Sequence, residues 1–376
     1  MTGWFRRLLP VVMIFAAVQA EAQRKPIVVA YLFPQDAKLD SGQVNARAVT
    51  RINYAFANIE NGRMVTGFKN DAENFATLSA LKKENPQLTV LISVGGWLWS
   101  GRFSDMALTA QSRAVFIDSV MEFLRRYDLD GLDIDWEYPG MAGAGHKFRA
   151  EDKRNFTLLL AELRKSFDVE TKRSGRRLYL TIAAGASDEF LAHTEMDKVA
   201  RLTDTVNLMS YDYYEPSSGP ITGHHAPLYT NPADPEKVSA DASVSAFEQA
   251  GVPGERILLG LPFYGHVWGQ VADTGHGLYQ PGKAIPNGFA PYSAIAATML
   301  GQGFTRYWDA VSVAPYLYSA EKHIFVSYED PESIATKGHY VLEHKLGGIM
   351  FWSYEADSNG ALLGAVDSAL GIDGQP

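Results

Sequence analysis

Eight short runs of apolar, largely β-branched residues recur along the chain, and the stretches between them carry helical periodicity. The runs are Ile27–Phe33, Arg51–Asn58, Thr89–Gly95, Gly131–Glu137, Leu178–Ala184, Thr205–Tyr211, Ile257–Phe263 and Gly347–Ser353. Between them, Thr109–Tyr127 spaces Val115, Phe116, Val120, Phe123 and Leu124 as one helix face. Lys153–Phe167 does the same with Phe156, Leu159, Leu160 and Leu163. Strands that alternate with helices pair in parallel through right-handed crossovers. Eight such units predict an α/β fold, a closed (β/α)8 TIM barrel, which takes roughly 250 residues. An open doubly wound sheet is the competing layout, but no G-x-G-x-x-G follows the first strand to support it.

The chain has 376 residues, more than a minimal barrel needs. The excess falls between the seventh and eighth strands, where the interval is too long for one βα connection. It holds strand-like pieces such as His323–Tyr328 and turn pairs such as Pro281-Gly282 and Asn287-Gly288. A small α+β insertion is expected at about 269–340, within a single catalytic unit of residues 23–376. Residues 1–22 have the pattern of a signal peptide: Arg6 and Arg7, an apolar stretch from Leu8 to Val18, then Ala20-Glu21-Ala22 as an A-x-A cleavage site. That stretch is shorter than the roughly 20 residues of a membrane span. The expectation is a secreted or periplasmic protein, off the membrane once cleaved, and a monomer.

Composition narrows the chemistry. There are no cysteines, so disulfides, thiolate metal sites and Cys nucleophiles are excluded. The net charge is −9, and the short basic pieces Lys172-Arg173 and Arg176-Arg177 suit a solvated turn, so nucleic acid is not an expected partner. The nine histidines show no H-E-x-x-H, and the adjacent His224 and His225 must diverge. No metal site and no cofactor are expected.

The informative segment is Asp130-Gly131-Leu132-Asp133-Ile134-Asp135-Trp136-Glu137-Tyr138. Side chains alternate across a strand, so Asp133, Asp135 and Glu137 share one face, while Leu132, Ile134 and Trp136 face the helices. Same-face neighbours lie about 6.6 Å apart along a strand. Three buried carboxyls that close retain a proton, and a carboxyl protonated near neutrality is a general acid. Barrel sites lie at the C-terminal ends of strands, which makes Glu137 the candidate acid. Asp130 has the opposite parity and a structural role. Two other readings stay open: a solvated strand face, and a Ca²⁺ or Mg²⁺ site, although the alternating pattern lacks the turn of a calcium loop.

The segment resembles the D-G-x-D-x-D-x-E signature of family 18 glycoside hydrolases, the chitinases. The likeness extends over nearly the whole chain. Ser93-Val94-Gly95-Gly96-Trp97, Met209-Ser210-Tyr211-Asp212-Tyr213, Gly260-Leu261-Pro262-Phe263-Tyr264-Gly265 and Gly348-Ile349-Met350-Phe351-Trp352 are similar to that family's motifs on strands three, six, seven and eight. The insertion is similar to that of bacterial chitinases with deep clefts.

The resemblance implies a (β/α)8 barrel and hydrolysis of β-1,4 bonds in chitin or N-acetylglucosamine oligosaccharides. Family 18 departs from the two-carboxylate scheme because the substrate's own acetamido group is the nucleophile. By this likeness Glu137 is the acid and base, Asp135 orients the acetamido N–H, Asp133 shares a proton with Asp135, and Tyr211 donates to the acetamido oxygen. Asp212, Met209, Trp352, Trp97, Tyr31, Phe56 and Ser93 are implied substrate-binding positions. Tyr211 has the alternative of a core tyrosine, and Tyr31 and Ser93 of barrel filling. Trp99, Trp268, Trp308 and Tyr264 suit either a sugar-stacking wall or packing. The family pattern also implies cis bonds before Phe56, Tyr138 and Ser353. Two rival functions share the residues: hydrolysis of another N-acetylglucosamine polymer, such as peptidoglycan or an N-glycan core, and chitin binding without cleavage.

Overall fold

The computed structural model describes residues 25–372; the signal-peptide expectation at 1–22 lies outside them. In chain order the strands are β1 (Ile27–Leu32), β2 (Arg51–Glu60), β3 (Arg63–Val65), β4 (Thr89–Gly95), β5 (Gly131–Asp135), β6 (Tyr179–Gly185) and β7 (Thr205–Met209). They continue with β8 (Ile257–Pro262), β9 (Tyr264–Gly269), β10 (Lys283–Pro291), β11 (Thr305–Asp309), β12 (Ala314–Ser319), β13 (Ile324–Ser327) and β14 (Gly348–Trp352). Parallel pairing runs β1-β14-β8-β7-β6-β5-β4-β2, and β2 pairs back to β1. The eight predicted strands thus close into the (β/α)8 barrel.

Local sequence sets the helix limits. Thr109 caps Ala110–Tyr127, accepting from the Ser112 amide, while Ser112 answers the Thr109 amide. Asp152–Ser174 runs a full two turns beyond the predicted Lys153–Phe167 and stops at Gly175, whose φ of 73° is the left-handed conformation that ends helices. Lys172 and Arg173 therefore sit in its last turn rather than in a loop. Arg173 pairs with Glu170, Arg176 with Asp128 and Asp130, and Arg177 with Asp204. Three of the four residues of the basic pieces, Arg173, Arg176 and Arg177, are committed to local ion pairs. The first crossover holds no α-helix, only a short 3-10 turn at Ser41–Gln43.

The excess chain forms a second, antiparallel sheet in the order β10-β9-β13-β12-β11. Its own core is Tyr214, Trp268, Val271, Tyr316, Tyr318 and Phe325. The sheet starts at Tyr264, earlier than the expected 269, because the chain turns at Phe263, whose amide donates to the Trp352 carbonyl at 2.7 Å. It is finished by Ser327, well before 340. The helix Pro331–Glu343 packs on β14 and on the helix Ala361–Leu370, as a barrel helix does.

The long β7–β8 connection is pinned to this second sheet. The amides of Thr222, His225 and Leu228 donate to the Gln280 carbonyl, Ser327 Oγ and the Ser312 carbonyl at 2.9, 2.8 and 2.9 Å. Among the described residues no helix is long and apolar enough to cross a membrane.

Candidate active site

Side chains gather where the barrel strands end. Ladder pairing of β5 stops at Asp135, so strict alternation does not itself carry as far as Glu137. Trp136 does the orienting instead. It is buried, stacked on Phe103 at 5.1 Å and edge-on to Phe156, as expected of a core residue. The Glu137 amide donates to Ser100 Oγ at 2.9 Å, and that hydroxyl lies 2.9 Å from the Gly96 carbonyl and 3.1 Å from that of Asp135. Gly95 and Gly96 permit this closeness. A Cβ on Gly95 would meet the Asp135 carbonyl at 2.1 Å, and one on Gly96 the Phe56 ring at 2.6 Å. The peptide bonds before Phe56, Tyr138 and Ser353 are cis, as the resemblance implies.

The three carboxyls have different surroundings. Asp133 is fully buried and accepts from Tyr31 and Ser93 hydroxyls at 2.9 and 2.8 Å, Thr181 at 2.5 Å and the Asn207 amide at 3.1 Å. Burial still holds its pKa above the usual range, opposed by those bonds and by the buried Arg51. Asp135 is buried too, but its Oδ1 has no partner. Burial first, then the Glu137 and Asp133 carboxyls, push its pKa well up. Burial raises Glu137 to about 8; the Tyr138 hydroxyl opposes the shift, and the Asp212 and Glu215 carboxylates add to it. At neutral pH the outermost carboxyl therefore holds a proton.

Tyr211 and Asp212 lie past the end of β7, where the Ser210 amide donates to the Leu208 carbonyl and turns the chain. Strand alternation therefore does not orient Tyr211. Tyr211 nevertheless packs with Met209, Trp352, Met350 and Tyr31 inside the barrel mouth, its hydroxyl 3.9 Å from Met350 Sδ. Asp212 takes a left-handed conformation, φ 59°. It accepts from the Tyr264 hydroxyl at 2.6 Å and lies 2.8 Å from His266 Nε2; burial raises its pKa, but the His225 and His266 imidazoles outweigh this and hold it far below the usual carboxylate range.

Aromatic rings line the mouth. Trp352 stacks on Phe56 at 5.5 Å and sits 6.0 Å from Tyr31 and 5.5 Å from Phe33. The strip continues through Phe68 to Trp99. Trp97, half exposed, stands edge-on to Tyr138 at 6.4 Å. Tyr264 belongs to the site, with the exposed Phe289 stacked on it at 4.4 Å. Trp268 is core of the second sheet, and Trp308 lies under the Arg306 guanidinium.

Sequence reasoning missed several members. Thr181, Asn207 and Arg51 complete the cradle of Asp133, and Ser100 fixes the Glu137 backbone. Their signal was present: Thr181 and Asn207 are polar residues in the middle of apolar strands. Two of the histidines come together in a way their spacing in the sequence does not show. His224 and His225 do diverge, His224 toward Asp309 at 3.2 Å, but His225 meets His266 beside Asp212. Among the described residues, Asp212, His225 and His266 are the group able to hold a metal ion.

Comparison with known proteins decides the family. The sequence model described as Glycosyl hydrolases family 18 matches residues 27–357. The chain belongs to that family. This family 18 chain is 40% identical over 318 residues to Chitinase A1 of Niallia circulans, covering 81% of itself but only 45% of that relative's length. It is also similar in structure to a glycoside hydrolase family 18 N-acetylglucosaminidase from Paenibacillus barengoltzii, at 40% identity and a TM-score of 0.85 over 92% of this chain and 99% of that one. A class V chitinase mutant from Nicotiana tobaccum, solved with NAG4, superposes with a TM-score of 0.84 at 29% identity, over 92% of this chain and 99% of that one.

Proposed function

We propose that this chain hydrolyses β-1,4 bonds between N-acetylglucosamine units of chitin, with retention and by substrate assistance. The observation that carries the reading is the graded carboxyl column: Asp133 saturated with donors, Asp135 with a buried oxygen left open, Glu137 protonated at neutral pH. Glu137 gives its proton to the glycosidic oxygen as that bond to the anomeric carbon breaks. The sugar's acetamido oxygen attacks the same carbon and forms a bicyclic oxazolinium ion. Asp135 Oδ1 accepts the acetamido N–H, and the proton that Asp135 shares with Asp133 passes to Asp133, so that the Asp135 charge offsets the cation. Tyr211 donates to the acetamido oxygen. Glu137, now ionised, takes a proton from the water that reopens the ring. The nucleophile arrives within the substrate, so the enzyme's task is to hold it in line.

Trp352 forms the floor under the reacting sugar, because sugar C–H faces pack on aromatic rings and their hydroxyls need polar neighbours. The leader-like pattern of residues 1–22 supports export to where an external polymer lies. The solved neighbour named an N-acetylglucosaminidase favours a second reading of the products, release of single units rather than oligomers. The test is incubation with a tetramer of N-acetylglucosamine, following product length and anomeric form with time. β-Anomeric dimers are expected of a chitinase and monomers of the second reading. α-Anomeric products would overturn substrate assistance. An intact tetramer beside cleaved peptidoglycan or N-glycan would overturn the choice of polymer.

A further inference from the structure

Asp212, His225 and His266 come from separate parts of the chain and meet at one point. One ligating atom of each lies within 4.8 Å of the others. His266 Nε2 is 2.8 Å from Asp212 Oδ1, and His225 Nδ1 is 3.5 Å from the same oxygen. Ligands around a tetrahedral zinc, at bonds of about 2.1 Å, stand about 3.4 Å apart. The observed spacings bracket that value, and side-chain shifts on the order of 1 Å would close the cage.

A second observation points to a ligand. His225 is wholly buried, yet its Nε2 has no hydrogen-bond partner and its Nδ1 reaches Asp212 Oδ1 only at the long distance of 3.5 Å. An orphaned buried polar group costs about 1–3 kcal/mol, so most are paired. Its backbone is held firmly, the amide donating to Ser327 Oγ, so the ring is fixed beside Asp212. The Asp212 side chain is 33% exposed, which leaves a route in and room for a coordinated water. Glu215 Oε1, 4.0 Å from His266 Nε2, stands as a further donor. Two imidazoles and one carboxylate are a zinc-type set. Calcium and magnesium demand more oxygens than are offered here.

We propose that Asp212, His225 and His266 bind a divalent transition cation, zinc by ligand set and spacing, and that the bound cation stops hydrolysis. When it binds, any proton on the coordinating His266 Nε2 passes to solvent, and Asp212 exchanges its bond from His266 for one to the metal. Asp212 is then unavailable to sugar, and its negative charge no longer acts on Glu137. The inhibitory half rests on the function proposed above; the binding half does not.

The experiment is titration of the EDTA-treated full chain with zinc chloride by calorimetry. Cobalt(II) chloride serves as an absorbing probe, and tetramer hydrolysis is followed in parallel. One ion per chain is expected, with the intense visible absorption of four-coordinate cobalt. Turnover should fall at least tenfold at saturating zinc and return with EDTA. His225→Ala should weaken uptake at least tenfold and abolish inhibition at zinc levels that silence the parent. His266→Gln is the second variant, with circular dichroism as the check on folding. X-ray absorption of the zinc-loaded parent should show two imidazoles and needs no variant. Absence of stoichiometric uptake, or a shell without imidazole, overturns the site. Uptake with full turnover overturns the inhibition. A chain inactive on the tetramer that still binds zinc overturns the proposed function and leaves the site standing.

Discussion

At the scale of single residues, the proton on Glu137 organises the site. Glu137→Gln should cut turnover by roughly 10²–10⁴-fold or more while thermal unfolding stays cooperative, because the amide cannot transfer a proton. Near-normal turnover would remove Glu137 from the chemistry. The acid works only when protonated, and its pKa is raised to about 8, so kcat/KM should fall about tenfold per pH unit above that value. Asp212→Asn removes a charge that raises Glu137, so the alkaline limb should move to lower pH. A limb that stays in place would mean that burial and Glu215 set it without Asp212. The same shift has a sign for stability. The folded pKa lies above the ordinary 4.5, so the folded state holds the extra proton and this contribution is lost as pH rises from about 4.5 to 8. Much of this was legible: the spacing of Asp133, Asp135 and Glu137 named the column. The cradle around Asp133 was legible only in part: Tyr31 and Ser93 were named as substrate positions and Thr181 and Asn207 stand out as polar, but the four come from separate strands whose stagger the sequence does not state.

At the scale of elements, the strands were readable because barrel strands are buried on both faces and so run continuously apolar. Their ends were not. β5 and β7 stop two residues short of the expected limits, at the places where Glu137 and Tyr211 take over. Pairing gives way there to side-chain anchors such as Trp136 and Ser100, which leave no periodicity. The turn after β4 leaves little room for a side chain. Gly96→Ala combines a φ of 76° with a Cβ against the Phe56 ring, and should cost on the order of 1–3 kcal/mol in urea unfolding. It should also raise KM, since Phe56 supports Trp352. A variant with unchanged midpoint would show that the ring yields freely. The insertion was visible as excess length, but its start was hidden because Tyr264-Gly265-His266 continues the seventh-strand run without a break.

At the scale of the whole molecule, barrel and second sheet are tied through one buried ion pair. Lys337, on the helix Pro331–Glu343, pairs with Glu329 after β13 and donates to the Ala226 carbonyl of the β7–β8 connection at 2.6 Å. Both charged side chains are 1% exposed. Lys337→Met would strand the Glu329 charge and should cost about 3–5 kcal/mol in denaturant unfolding, while adding Glu329→Gln should recover much of it. Equal stability of parent and single variant would show that water reaches Glu329. The closing seam sets a further order of events. β1 lies between β2 and β14, so one of its edges stays bare until β14 has been synthesised. Until Gly348–Trp352 is available, no ribosome-bound length of this chain can complete the ring. Barrel closure therefore waits on β14, and a nascent chain that has not yet reached Trp352 keeps one edge of β1 unpaired.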